Sequence, residues 1–83
     1  MDSTHPPGWT ERDGALERTF ELGTFMEAID FVNRVAALAE EADHHPTIGV
    51  DYRRVTLRLW THSESAITDR EVDLALRIDA LHA

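Results

Sequence analysis

The chain has no cysteine, which excludes a disulfide framework and a thiolate zinc site. Basic residues are scarce: eight Lys and Arg stand against sixteen Asp and Glu, for a net charge of −8. Binding to a phosphate backbone needs clustered cations, so direct contact with nucleic acid is not expected. No apolar run approaches the length of a membrane span, and the start lacks a basic-then-apolar leader. The expectation is a protein without membrane contact, in the reducing cytoplasm. Glycine-rich phosphate loops, internal repeats and low-complexity tracts are also missing.

What remains is ordinary for a globular protein, with 42% apolar and 29% charged residues in 83 positions. That length accommodates one domain with a single thin core, and oligomerisation is a natural way for such a core to gain stability. Residues 1–8, "MDSTHPPG", read as a flexible lead-in that includes His5. Residues 9–83 read as the domain.

Asp13-Gly14 is a hairpin signal between two short strands. In the second strand Leu16, Phe20 and Leu22 share one parity and Glu17, Thr19 and Glu21 the other, with Arg18 out of place on the apolar side. Thr24 and Glu27 form a capping-box pattern that opens a long helix. Its expected inward face is Phe25, Ile29, Val32, Val35, Ala36 and Ala39, broadened by Phe31 and Leu38. Pro46 stops the helix, which should end near Ala42 to His44. Ile48, Val50 and Tyr52 then alternate as a third strand. A fourth places Val55, Leu57, Leu59 and Thr61 inward, with Trp60 on the opposite face and His62 either there or just past the strand, where alternation lapses. Trp60 there suggests a contact surface. Thr68 to Glu71 is a second capping box, stapled by Ile67 and Val72, before a final helix from Asp69 to about Leu81. The order β-β-α-β-β-α predicts an α+β domain, a two-layer fold with both helices on one face of a four-stranded antiparallel sheet.

The chemistry gathers in "EADHHPTIGVDY". His44 and His45 precede Pro46, and His62 follows 17 positions after His45, the span of an outgoing and a returning strand. Histidine titrates near neutral pH, so three of them in one pocket would supply acid, base and orienting donor. A metal site could use the same three with Asp69 or Glu71, although adjacent histidines diverge and the spacing matches no common zinc pattern. A polar helix end, where the dipole favours a cation, accounts for the pair without any chemistry.

Glu40, His44-His45-Pro46, Tyr52, Thr61-His62, Thr68 and "LALRID" together resemble the pterin-4a-carbinolamine dehydratases, also called dimerisation cofactors of a homeodomain transcription factor. The resemblance runs from about Trp9 to Leu81. It implies a lyase with neither cofactor nor metal that removes water from 4a-hydroxytetrahydropterin to give quinonoid dihydropterin. The substrate would come from an aromatic amino acid hydroxylase. His44, His45, His62 and Glu71 would be the catalytic group, with His45 as general acid. Glu40, Pro46, Ile48, Tyr52 and Thr61 would bind the pterin. The resemblance further implies a homodimer or homotetramer. The alternative within the family is a non-catalytic oligomerisation or partner-binding module.

Some positions depart from the family pattern. Aspartate is usual where this chain has Glu71, which keeps the charge and reaches one methylene further. Glycine is common near Ala66, some relatives have tryptophan at Ile48, and the helix some place before the first hairpin is reduced to residues 1–8. Glu71 is thus either an orienting group for a histidine or only a helix cap, with Asp73 as a possible substitute on another face.

Overall fold

A computed structural model describes residues 6–61 and 67–82. The elements are β1 (Thr10–Arg12), β2 (Ala15–Glu21), α1 (Phe25–Ala42), β3 (Thr47–Asp51), β4 (Arg54–Leu59) and α2 (Asp69–His82). The strands form one antiparallel sheet in the order β1-β2-β4-β3. The register sets Leu16 opposite Leu59, Phe20 opposite Val55 and Ile48 opposite Leu57. These side chains share one face, where both helices cover them. The α+β two-layer expectation holds.

Asp13 and Gly14 both take positive φ between β1 and β2, the left-handed pair that matches strand twist in a two-residue hairpin. Arg18 is on the helix-facing side because it has partners there. Its guanidinium lies 4.4 Å from the Phe20 ring centroid and donates to Asp79 of α2 at 2.9 Å. Gly8, at φ +90°, is packed against that guanidinium. Pro6 is buried and accepts a hydrogen bond from the Trp9 amide. Part of the expected lead-in is therefore packed on the domain, and Trp9 belongs to the core.

The capping of both helices follows the sequence. Thr24 Oγ1 accepts from the Glu27 amide at 3.1 Å, and Glu71 receives the Thr68 amide. Ile67 and Val72 both pack against the core. The inward face of α1 holds the expected Phe31, Val35 and Ala39, with Val32 and Leu38 packed at its margin, but it takes in Ala28 and leaves out Phe25 and Ala36. Its fully buried residues are Ala28, Phe31, Val35 and Ala39, whereas Phe25 is 46% exposed and Ala36 is exposed. Two apolar stripes run side by side along α1. Packing selects the one where alanines permit close approach and Phe31 meets Phe20, with centroids 4.9 Å apart.

Candidate functional site

The end of α1 creates the site. Asp43 takes a left-handed conformation at φ 53° and donates its amide to Glu40 O, while the His44 amide donates to Ala39 O. This closing turn satisfies the last carbonyls and directs the chain off the helix axis toward Pro46. Arg70, at the start of α2, donates from Nη2 to the Asp43 carbonyl at 3.2 Å. The C-terminus of α1 is thereby tied to the N-terminus of α2, beside the end of β4.

Glu71 lies at that junction with no solvent exposure. A buried carboxylate is tolerated when its oxygens are met by donors, and here there are four. Oε1 accepts from the Thr68 amide and the Thr68 hydroxyl; Oε2 accepts from the Thr61 hydroxyl at 2.7 Å and from His44 Nε2 at 2.8 Å. Burial pushes the carboxyl pKa up, but the Thr61 hydroxyl, the Thr68 amide and hydroxyl, and the His44 charge together carry it below its ordinary value. Glu71 is thus both a helix cap and a histidine partner, so the two alternatives posed by the sequence coexist in one side chain.

The two histidines diverge. His44 is nine-tenths buried, with Nε2 shared between Glu71 and the Trp60 carbonyl at 3.1 Å. His45 turns outward, its side chain 58% exposed, with Nε2 2.7 Å from the exposed Glu40 carboxylate. The pair therefore serves two different carboxylates. No cluster of three or more His, Asp or Glu side chains arranged for a metal occurs among the described residues.

Of the remaining expected site residues, Thr61 sits at the junction, and Pro46, next to His45 in sequence, is half-buried. Ile48 faces the helix layer and packs on the core. Tyr52 lies in the turn after β3, at φ 57° and 67% exposed. It is separated from Pro46 by the five residues of β3, about 17 Å of strand. Within one chain the hairpin carries Tyr52 away from the histidines. His62 and Ala66 lie outside the described residues. Asp73 is exposed, and its carboxylate is 4.0 Å from Arg77 rather than on a histidine.

Trp60 is half-buried, with the Arg58 guanidinium 5.6 Å from its ring centroid. Two contributors left no functional signal in the sequence: the Trp60 carbonyl and Arg70. A backbone carbonyl leaves no residue-type mark, and Thr68 was legible as a cap and as part of the family resemblance, not as a partner of Glu71 at the site. An open cleft of about 190 Å³ flanks His44, lined also by Ala42, Arg70, Asp73, Leu74 and Arg77. A larger one of about 270 Å³ lies at the other end of the helix layer, among Leu22, Phe31 and His82, away from the paired histidines.

A profile of the family described as pterin 4 alpha carbinolamine dehydratase matches residues 1–81. A protein of Thermomicrobium roseum, named as a candidate pterin-4-alpha-carbinolamine dehydratase, is 51% identical over 75 residues, covering 90% of this chain and 81% of the relative. One of the same name from Herpetosiphon aurantiacus is 47% identical over 76 residues, covering 92% and 79%. The crystal structure of a transcriptional coactivator/pterin dehydratase from Brucella melitensis superposes with a TM-score of 0.87 at 34% identity, covering 93% of this chain and 84% of that one. A pterin dehydratase-like protein described as a RuBisCO assembly factor in the alpha-carboxysome gives 0.73 at 27% identity, covering 88% and 84%.

Proposed function

The chain belongs to the pterin-4a-carbinolamine dehydratase family, and on that footing we propose that it dehydrates a 4a-hydroxytetrahydropterin to quinonoid dihydropterin. The observation that carries the reading is the division of labour between adjacent histidines: His44 is held by a buried carboxylate, and His45 is presented outward on Glu40. His45 protonates the departing 4a-hydroxyl as electrons from N5 form the C4a–N5 double bond. Water leaves, and a base takes the remaining ring proton. A positioned acid or base typically supplies about 10²–10⁴-fold in rate. His62 completes the group on the family pattern, with Glu40, Pro46, Ile48, Tyr52 and Thr61 as the binding residues. The reaction needs no cofactor or metal, takes place in the cytoplasm and serves an aromatic amino acid hydroxylase.

Purified protein is expected to accelerate decay of an enzymatically generated 4a-hydroxypterin, and His45→Ala to remove most of the gain. Wild-type protein no faster than buffer overturns the proposal.

A second reading, an oligomerisation or partner-binding module, is favoured by the exposed Phe25, Met26, Val50, Tyr52 and Leu76 and by β3 as a sheet edge. It is compatible with catalysis in a homodimer or homotetramer. Normal assembly without activity would leave it standing alone.

A further inference from the structure

The contacts of His44 determine which of its nitrogens exchanges a proton. Nε2 faces the Glu71 carboxylate at 2.8 Å and the Trp60 carbonyl at 3.1 Å. A peptide carbonyl can only accept. The carboxylate, met by three donors from Thr61 and Thr68 and held below its ordinary pKa, also only accepts near neutral pH. A bare Nε2 would set its lone pair against two oxygens inside a nearly dry site, where an unmade hydrogen bond is costly. Nδ1 points away from both oxygens, is buried and has no hydrogen-bond partner among the described residues.

The geometry points to Glu71 as a positioning residue that keeps a proton on His44 Nε2 in both charge states, so that the ring gains and loses its proton only at Nδ1. The length of the glutamate matters. One oxygen receives the two donors of Thr68 that open α2, and the other receives Thr61 and His44. The cap of α2 and the tautomer of His44 are consequently one hydrogen-bonded unit. Among the described residues, the other charged groups around the ring are Asp43, which follows α1 next to it, and Arg70, Asp73 and Arg77 of α2 around its cleft. Asp43 offers its carbonyl to Arg70, and Asp73 and Arg77 are close to each other, so Glu71 is the carboxylate that contacts Nε2.

The inference builds on the dehydratase reading only for its bearing on rate; the tautomer stands apart from it. The test is a long-range proton–nitrogen correlation spectrum of ¹⁵N-labelled protein, with His44→Gln used to assign the ring. In its neutral form the wild-type ring is expected to show a protonated Nε2 and a bare Nδ1, and in its cationic form a gain at Nδ1 alone. In Glu71→Gln the side-chain oxygen stays with the two Thr68 donors and the amide group turns toward His44. The tautomer ratio should then move toward Nδ1–H, with kcat falling and its pH profile shifting more than KM does.

A neutral wild-type ring protonated on Nδ1 overturns the inference, and so does a folded Glu71→Gln with unchanged ratio and pH profile. The wild-type spectrum alone decides the tautomer if the variant fails to fold. An inactive wild type with the Nε2–H ring defeats the dehydratase reading and leaves this one intact. An active wild type with the Nδ1–H ring does the reverse.

Discussion

Trp9 and Asp79, 70 positions apart, are joined by an indole N–H that lies 3.0 and 3.1 Å from the two carboxylate oxygens. Arg18 completes the group at 2.9 Å from the same carboxylate. One side chain of α2 thus fastens the start of the described chain and β2 to the last helix. Removing the carboxylate strands a largely buried indole donor and a guanidinium. Asp79→Ala is expected to destabilise the fold by about 1–3 kcal/mol, read from the midpoint of urea unfolding. An unchanged midpoint would show that the clasp adds nothing.

Glu71 predicts an acid sensitivity with a defined sign. Its folded pKa is below the ordinary 4.5 despite the upward push of burial, because Thr61, Thr68 and His44 outweigh it. The protonated form therefore favours the unfolded chain. The stability contributed by this ionisation is complete above about 4.5 and is lost as pH falls through the lower folded value. At neutral pH Glu71→Ala should cost about 3–5 kcal/mol, since it leaves several buried donors unmet. In melting curves the gap between wild type and variant should narrow below pH 4.5. A gap independent of pH would refute the assignment of the charge.

The choice between the two stripes on α1 can be tested by a pair of substitutions. Ala36 is exposed, so Ala36→Glu should change stability by no more than about 0.5 kcal/mol. Ala28 has no exposed surface, and Ala28→Leu should overpack the contact with the sheet at a cost of about 1–3 kcal/mol. Equal effects in chemical denaturation would mean that the helix is rotated from the orientation described.

Tyr52 holds a left-handed backbone at φ 57° that glycine adopts freely. For a non-glycine residue the conformation costs roughly 1–2 kcal/mol. Tyr52→Gly should therefore raise the melting temperature, by about 4–8 °C per kcal/mol recovered in a domain of this size. A lower melting temperature would show that the phenol ring contributes contacts worth more than the strain.

The element order was legible because its signals are local. Asp13-Gly14, the Thr24 and Thr68 caps, and the alternation of Val55, Leu57 and Leu59 each specify their own neighbourhood. The face of α1 was legible at Phe31, Val35 and Ala39 but not at its edges, because Ala28 on one side and Phe25 and Ala36 on the other are all apolar and only tertiary packing distinguishes them. The site was half legible. His44, Thr61 and Glu71 could be nominated by type and spacing. That His44 would share Nε2 with a backbone carbonyl, while His45 turned outward to Glu40, depends on the exact angle at which α1 ends.

The clasp and the junction also bear on the order of folding. β2 pairs with β4 across the whole of α1 and β3, and both Asp79 and Glu71 reach back from the final helix. Hairpin turns and helix caps close short loops and can form early, whereas the contact of Trp9 with Asp79, across 70 positions, must wait for the longest closure of these. The clasp should therefore appear on refolding after the His44 pocket, and the signal of the Trp9 indole N–H would serve as a clock for the final step.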